Sequence, residues 1–166
     1  MESTIPAFRD DGYLPEGLFL ATEAELTFRF GSSNPRRRRL VLRARRWVEL
    51  AREIGAARLL IDGSFITGKE NPNDIDAVVL LPSQFQSQID AGLEAALEVE
   101  EMLLIRRPEE LFAAEDEADW DDWVEFFSRT RESDGRRKGL VEIKLCSPAL
   151  RNTKKRKKRF GTSRSA

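Results

Sequence analysis

Apolar residues follow two rhythms along the chain. Leu40, Ala44, Trp47, Ala51 and Ile54 recur at helical spacing. Asn34-Pro35 offers that helix an N-cap and a first-position proline, and Gly55 a stop. Upstream, Thr22 and Glu25 have capping-box spacing and predict a short helix over 23–30, ended by Gly31. Residues 12–22, "GYLPEGLFLAT", read as an irregular lead-in because of Pro15 and Gly17. The second rhythm is that of strands. "ARLLI" (57–61) and "DAVVLL" (76–81) are short β-prone runs bounded by turn residues. Pro82 closes the second, and Ser83 with Gln86 predicts the start of a long helix lined by Phe85, Ile89, Leu93 and Leu97.

The C-terminal half continues the mixture. A third strand is predicted around Glu110 to Ala113 on a weak apolar signal. Residues 115–125, "EDEADWDDWVE", open an amphipathic helix with Trp120, Trp123, Val124 and Phe127 on one face and the acids toward water. "DGRRKG" (134–139) is a turn, and "LVEIKLC" (140–146) alternates like a half-buried strand. No internal repeat is present. The expectation is an α/β (α+β) class with a small mixed β-sheet flanked by helices, in one domain over residues 1–150.

Composition narrows the chemistry. There is no histidine, which removes His-based general bases, Ser-His-Asp triads and the usual zinc sites. With a single cysteine, Cys146, any metal must be held by oxygens, favouring Mg²⁺ or Mn²⁺. One cysteine also fits a reducing cytoplasm, the expected location. No run is apolar and long enough for a transmembrane helix, and the start "MESTIPAFRDDG" lacks signal-peptide character. Net charge is -1, but residues 151–166, "RNTKKRKKRFGTSRSA", hold eight of the 28 Lys and Arg and none of the 29 Asp and Glu. Such a tail is either a solvated, disordered terminus or a contact for nucleic acid. The arginines at 36–39, 43, 45 and 46 pose the same choice, between a solvated helix face and a surface that steers a polyanion.

The stretch "IDGSFITGKENPNDIDAVVL" (61–80) concentrates the candidate chemistry. Asp74 and Asp76, two apart on a strand, project from one face at roughly 7 Å between Cα atoms and can share a hard cation. Ile75 between them points into the core. The Gly63-Ser64 turn after the preceding strand exposes backbone N–H groups, a small anion nest, and the Ser64 hydroxyl adds a donor. "KENPN" is a tight polar connection that holds the two elements close.

A glycine-serine turn followed by "DID" and an apolar run resembles the signature of the DNA polymerase β-like nucleotidyltransferase superfamily. The resemblance is nearest to small bacterial minimal nucleotidyltransferases and their toxin–antitoxin and antiphage-defence relatives, and covers residues 13 to 145. It implies a palm-type nucleotidyltransferase fold and magnesium-dependent transfer of NMP or dNMP from a nucleoside triphosphate such as ATP. The acceptor hydroxyl would lie on an RNA or DNA end, a nucleotide oligomer or a protein. Gly63 and Ser64 would hold the triphosphate, and Asp74 and Asp76 would ligate Mg²⁺. The third, later carboxylate is Glu110 or Glu142. Glu110 is preferred from the order of elements, although relatives place an aspartate there. Lys69 and Lys138 are candidate triphosphate contacts or plain surface lysines. Two other classes stand beside this one. One is a catalytically silent module that binds a partner protein from a neighbouring gene, as an antitoxin does. The other is a nucleic-acid adaptor that binds through its tail.

Overall fold

A computed structural model of the chain describes residues 3–105 and 109–145; the basic tail and Cys146 fall outside them. Five strands make one mixed sheet: β1 Gly17–Ala21, β2 Arg58–Asp62, β3 Ile75–Leu80, β4 Glu109–Ala114 and β5 Gly139–Ile143. Their order is β1-β5-β2-β3-β4. The outer pairs β1–β5 and β3–β4 are parallel, and the inner pairs β5–β2 and β2–β3 antiparallel. The helices are α1 Glu23–Phe30, α2 Pro35–Ile54, α3 Phe85–Asp90, α4 Glu94–Leu104 and α5 Glu117–Ser128. The mixed α/β class and the helix-flanked sheet are as expected.

Local chemistry sets the first two helices. Thr22 accepts from the Glu25 N–H, and the Glu25 carboxylate accepts from the Thr22 N–H, closing the capping box. Asn34 caps α2 by accepting from the Arg37 N–H, and Gly55 ends it in the left-handed region at φ 75°. On α2, Leu40, Ala44, Trp47, Ala51 and Ile54 are all buried, each large side chain contributing about 1.5–3 kcal/mol.

Strand alternation then divides the sheet into two faces. Leu59, Ile61, Ala77, Val79, Val141 and Ile143 share one and are fully buried in the core. Helices α1, α2 and α4 pack together as a layer, with α2 on β2 and β3. The opposite face carries Arg58, Leu60 and Asp62 of β2, Asp76 and Val78 of β3, Phe112 of β4 and Glu142 of β5. Helix α5 lies on it through Trp120, against Arg58, and Trp123, against Phe112.

Two expectations need correction. The lead-in is not irregular throughout, because residues 17–21 form β1, an edge strand paired in parallel with β5. The predicted long helix is two helices. Gly92, at φ 73°, breaks the chain between α3 and α4, and Leu93 becomes the N-cap residue of the second. Ser83 caps nothing; its hydroxyl faces the Gln84 side chain, and Gln84 is the N-cap residue of α3 without a side-chain bond. Leu93 and Leu97 are consequently exposed, while Ala95, Ala96 and Val99 face inward.

Candidate functional site

The antiparallel β2–β3 pair ends in the connection 63–74, and the candidate site is built where that connection leaves the sheet. Asp62 is the last residue of β2 and the register partner of Asp76. Asp76 in turn faces Glu110 in the parallel β3–β4 register. Register partners project from the same face of a sheet, so three acidic residues stand in a row across adjacent strands about 4.8 Å apart. Asp74 lies two residues before Asp76, just ahead of the strand, and Ile75 between them is fully buried.

Gly63 makes the approach possible. It sits at φ 91°, and a Cβ there would lie 2.9 Å from both the Asp74 carbonyl oxygen and the Ile75 Cα. The next residue closes the turn on itself. The Ser64 N–H donates to Asp74 Oδ1 at 2.8 Å, and the Ser64 hydroxyl donates to the same oxygen. That hydroxyl also accepts from the N–H groups of Asn73 and Asp74. Ser64's donors are thus engaged by the site's own carboxylate.

Two α2 arginines hold this connection from behind. Buried Arg37 donates to the carbonyl oxygens of Phe30, Phe65, Thr67 and Lys69. Arg36 donates to those of Pro72 and Asn73, at 3.0 and 2.6 Å. Farther along, Arg45 and Arg52 pair with Glu23, and Arg46 with Glu49 and Glu98. Much of the arginine face is therefore engaged by the protein's own groups.

Burial, with crowding behind it, shapes the acidity of Asp62 and Asp76. Burial pushes the Asp76 carboxyl up to about 7, aided by the charges of Asp74, Asp62 and Glu110 and opposed by Lys138. Burial also raises the Asp62 carboxyl, against the Lys138 ammonium 2.6 Å away. Lys138 and Asp62 are both buried, so this is an internal ion pair at the edge of the acidic row.

A cavity of about 1070 Å³ opens over Asp62, Asp74, Asp76 and Lys138, with Glu110 outside its lining. Gly63, Ser64, Asp74, Asp76, Lys69 and Lys138, all singled out from sequence, line it. Glu110 stands one strand over, beside Asp76. Glu142 lies elsewhere, opposite Leu60 on β5, with its carboxylate held by Arg58. Sequence reasoning missed Asp62, Phe126 and Arg131, which line the same cavity. Asp62 reads as the last letter of an apolar strand, and its role depends on register with β3. The alternation of Lys138, Leu140 and Glu142 is the signal that would have taken Lys138 out of the surface turn.

Residues 6–144 match a family of unknown function, DUF6932. The chain belongs to that family. No curated protein and no solved structure matches it. The family span takes in every residue lining the cavity and stops before the basic segment 151–166.

The donor set fits a hard cation in kind: four carboxylates from four chain positions, with neither imidazole nor thiolate in the chemistry. As it stands, no group of three among the described residues is arranged to hold a metal ion. Asp74 is turned onto Ser64, and Asp62 onto Lys138. Among the described residues, no helix is long and apolar enough to cross a membrane.

Proposed function

We propose that this protein is a magnesium-dependent nucleotidyltransferase that moves NMP or dNMP from a nucleoside triphosphate to an acceptor hydroxyl. One observation carries the reading: Asp76 is flanked in register by Asp62 and Glu110, with Asp74 and the Gly63-Ser64 turn beside it, under a cavity of nucleotide size. So many carboxylates in one place cost stability unless a cation is shared among them. Asp74 and Asp76 would hold Mg²⁺ or Mn²⁺, with Glu110 as the third oxygen donor. The ion supplies Lewis-acid stabilisation of phosphate charge and lowers the pKa of the acceptor hydroxyl.

This chain's own groups do the rest. When Asp74 turns from Ser64 toward a cation, the Ser64 N–H and hydroxyl become free to donate to a phosphate. The Gly63-Ser64 turn would then receive the departing pyrophosphate. Lys69 adds positive charge at the cavity wall, and Lys138, fixed by Asp62, presents a second cation without swinging free. The basic tail is the natural contact for a nucleic-acid acceptor, by charge alone.

The test is label transfer from each NTP and dNTP, with Mg²⁺ and with RNA, DNA and protein acceptors. Wild type should transfer, and Asp74→Ala/Asp76→Ala should lose at least roughly 10²–10³-fold. The closure of Asp74 onto Ser64 favours a second reading, a silent module that binds a partner protein. Equal inactivity of wild type and double variant with every acceptor, alongside retained partner binding, would select it. Salt-sensitive RNA binding that survives deletion of 151–166 would remove the tail from the acceptor argument.

A further inference from the structure

The aromatic side of the cavity remains unused by the proposed chemistry. Phe126 lies off the apolar face that Trp120, Trp123 and Phe127 make on α5, and is 66% exposed at the cavity wall. An exposed ring near a helix end is ordinarily mobile; this one is buttressed. Phe127 stacks on Trp123 with planes 18° apart, and Phe126 stands edge-on to both, at 89° to Trp123 and 80° to Phe127. Trp123 is itself pinned, its indole N–H donating to the Ala113 carbonyl of β4 at 3.2 Å. Arg131 lines the same cavity.

From this we infer that Phe126 is the nucleobase platform of the site, a ring face on which the base of the bound nucleotide stacks. The inference rests on the nucleotide reading of the cavity and adds the part that reading lacks. Carboxylates, a turn and lysines address the phosphate end of a ligand; a pre-set aromatic ring in the same cavity addresses a flat heterocycle. A base offers a π-face whatever its identity, so stacking supplies affinity more than base choice. Fixing the ring beforehand lowers the ordering cost of binding.

The experiment compares ligands that share the phosphate end and differ at the other. Calorimetric titration of the full chain would use MgATP, MgUTP and magnesium tripolyphosphate, against wild type, Phe126→Ala, Phe126→Leu and Phe126→Trp. Stacking predicts that Phe126→Ala binds both nucleotides about 5- to 100-fold more weakly. Tripolyphosphate affinity should stay within about twofold, since the ring does not touch phosphate. Phe126→Trp should retain nucleotide affinity, and Phe126→Leu should not. Equal losses for nucleotide and tripolyphosphate, or full rescue by leucine, would overturn the inference. Nucleotide binding that requires Asp76 and ignores Phe126→Ala would sink the platform and leave the proposed function standing. Failure of wild type to bind any nucleotide would overturn both.

Discussion

Strand β2 begins with Arg58 and ends with Asp62, on the same face of the sheet, and the two ends are treated in opposite ways. At the Arg58 end every charge is answered. The guanidinium donates to both oxygens of Glu142, at 2.5 and 3.2 Å, and to Glu117 at 3.0 Å, and it lies over the Trp120 ring. At the Asp62 end, Asp62, Asp74, Asp76 and Glu110 crowd together, and Lys138 is the cation that opposes them at Asp76. One sheet face thus holds a neutralised end that stabilises the fold and an acidic end that strains it. Surplus charge of one sign, retained at the mouth of a cavity, is what a cation-dependent site requires.

The contrast can be broken first at its pivot. Lys138→Met leaves the buried Asp62 carboxylate uncompensated and should cost about 3–5 kcal/mol in urea unfolding. Asp62→Asn/Lys138→Met should recover most of that loss, because it removes both charges together. The neutralised end should respond less. Glu142→Gln leaves Arg58 with Glu117 and some solvent, and should cost about 1–2 kcal/mol.

The smallest effect sharpens the acidic end and carries a sign. Asp76 binds its proton more tightly folded, near 7, than unfolded, near 3.8. Its contribution to stability is full below about pH 4 and is lost as pH rises through 7. Asp76→Asn should therefore stabilise the metal-free protein at pH 8 by about 1 kcal/mol, after allowance for solvent at the partly exposed carboxyl. The two proteins should converge near pH 4. Millimolar Mg²⁺ at pH 8 should raise the Tm of wild type and not that of the variant. A gap that is flat from pH 4 to 8 would count against a raised Asp76 carboxyl.

What the sequence disclosed was local. Thr22 with Glu25, Asn34-Pro35 and Gly55 announce α1 and α2 because a cap is a conversation among neighbouring residues. Asp74, Asp76 and the Gly63-Ser64 turn were legible for the same reason. β1 was not, since its partner β5 lies about 120 residues away and Pro15 and Gly17 dominate the local signal. The apolar spacing of Phe85, Ile89, Leu93 and Leu97 runs unbroken through Gly92, where the backbone turns away. Asp62 joins the site through cross-strand register, which no single segment contains, and Glu110, nominated from the order of elements, reaches Asp76 by the same means.

Arg37 has a consequence for how this protein can vary. Its guanidinium lies over the Phe65 ring but grips the connection through carbonyl oxygens, as Arg36 does, so its hydrogen bonds there go to backbone alone. A grip of that kind counts residues instead of reading them. Within the connection, the exposed Glu70 and Asn71 are free to change their lettering, while its length is held by where the carbonyls must fall. Insertions there, more than substitutions, are what would detach Asp74 from the sheet.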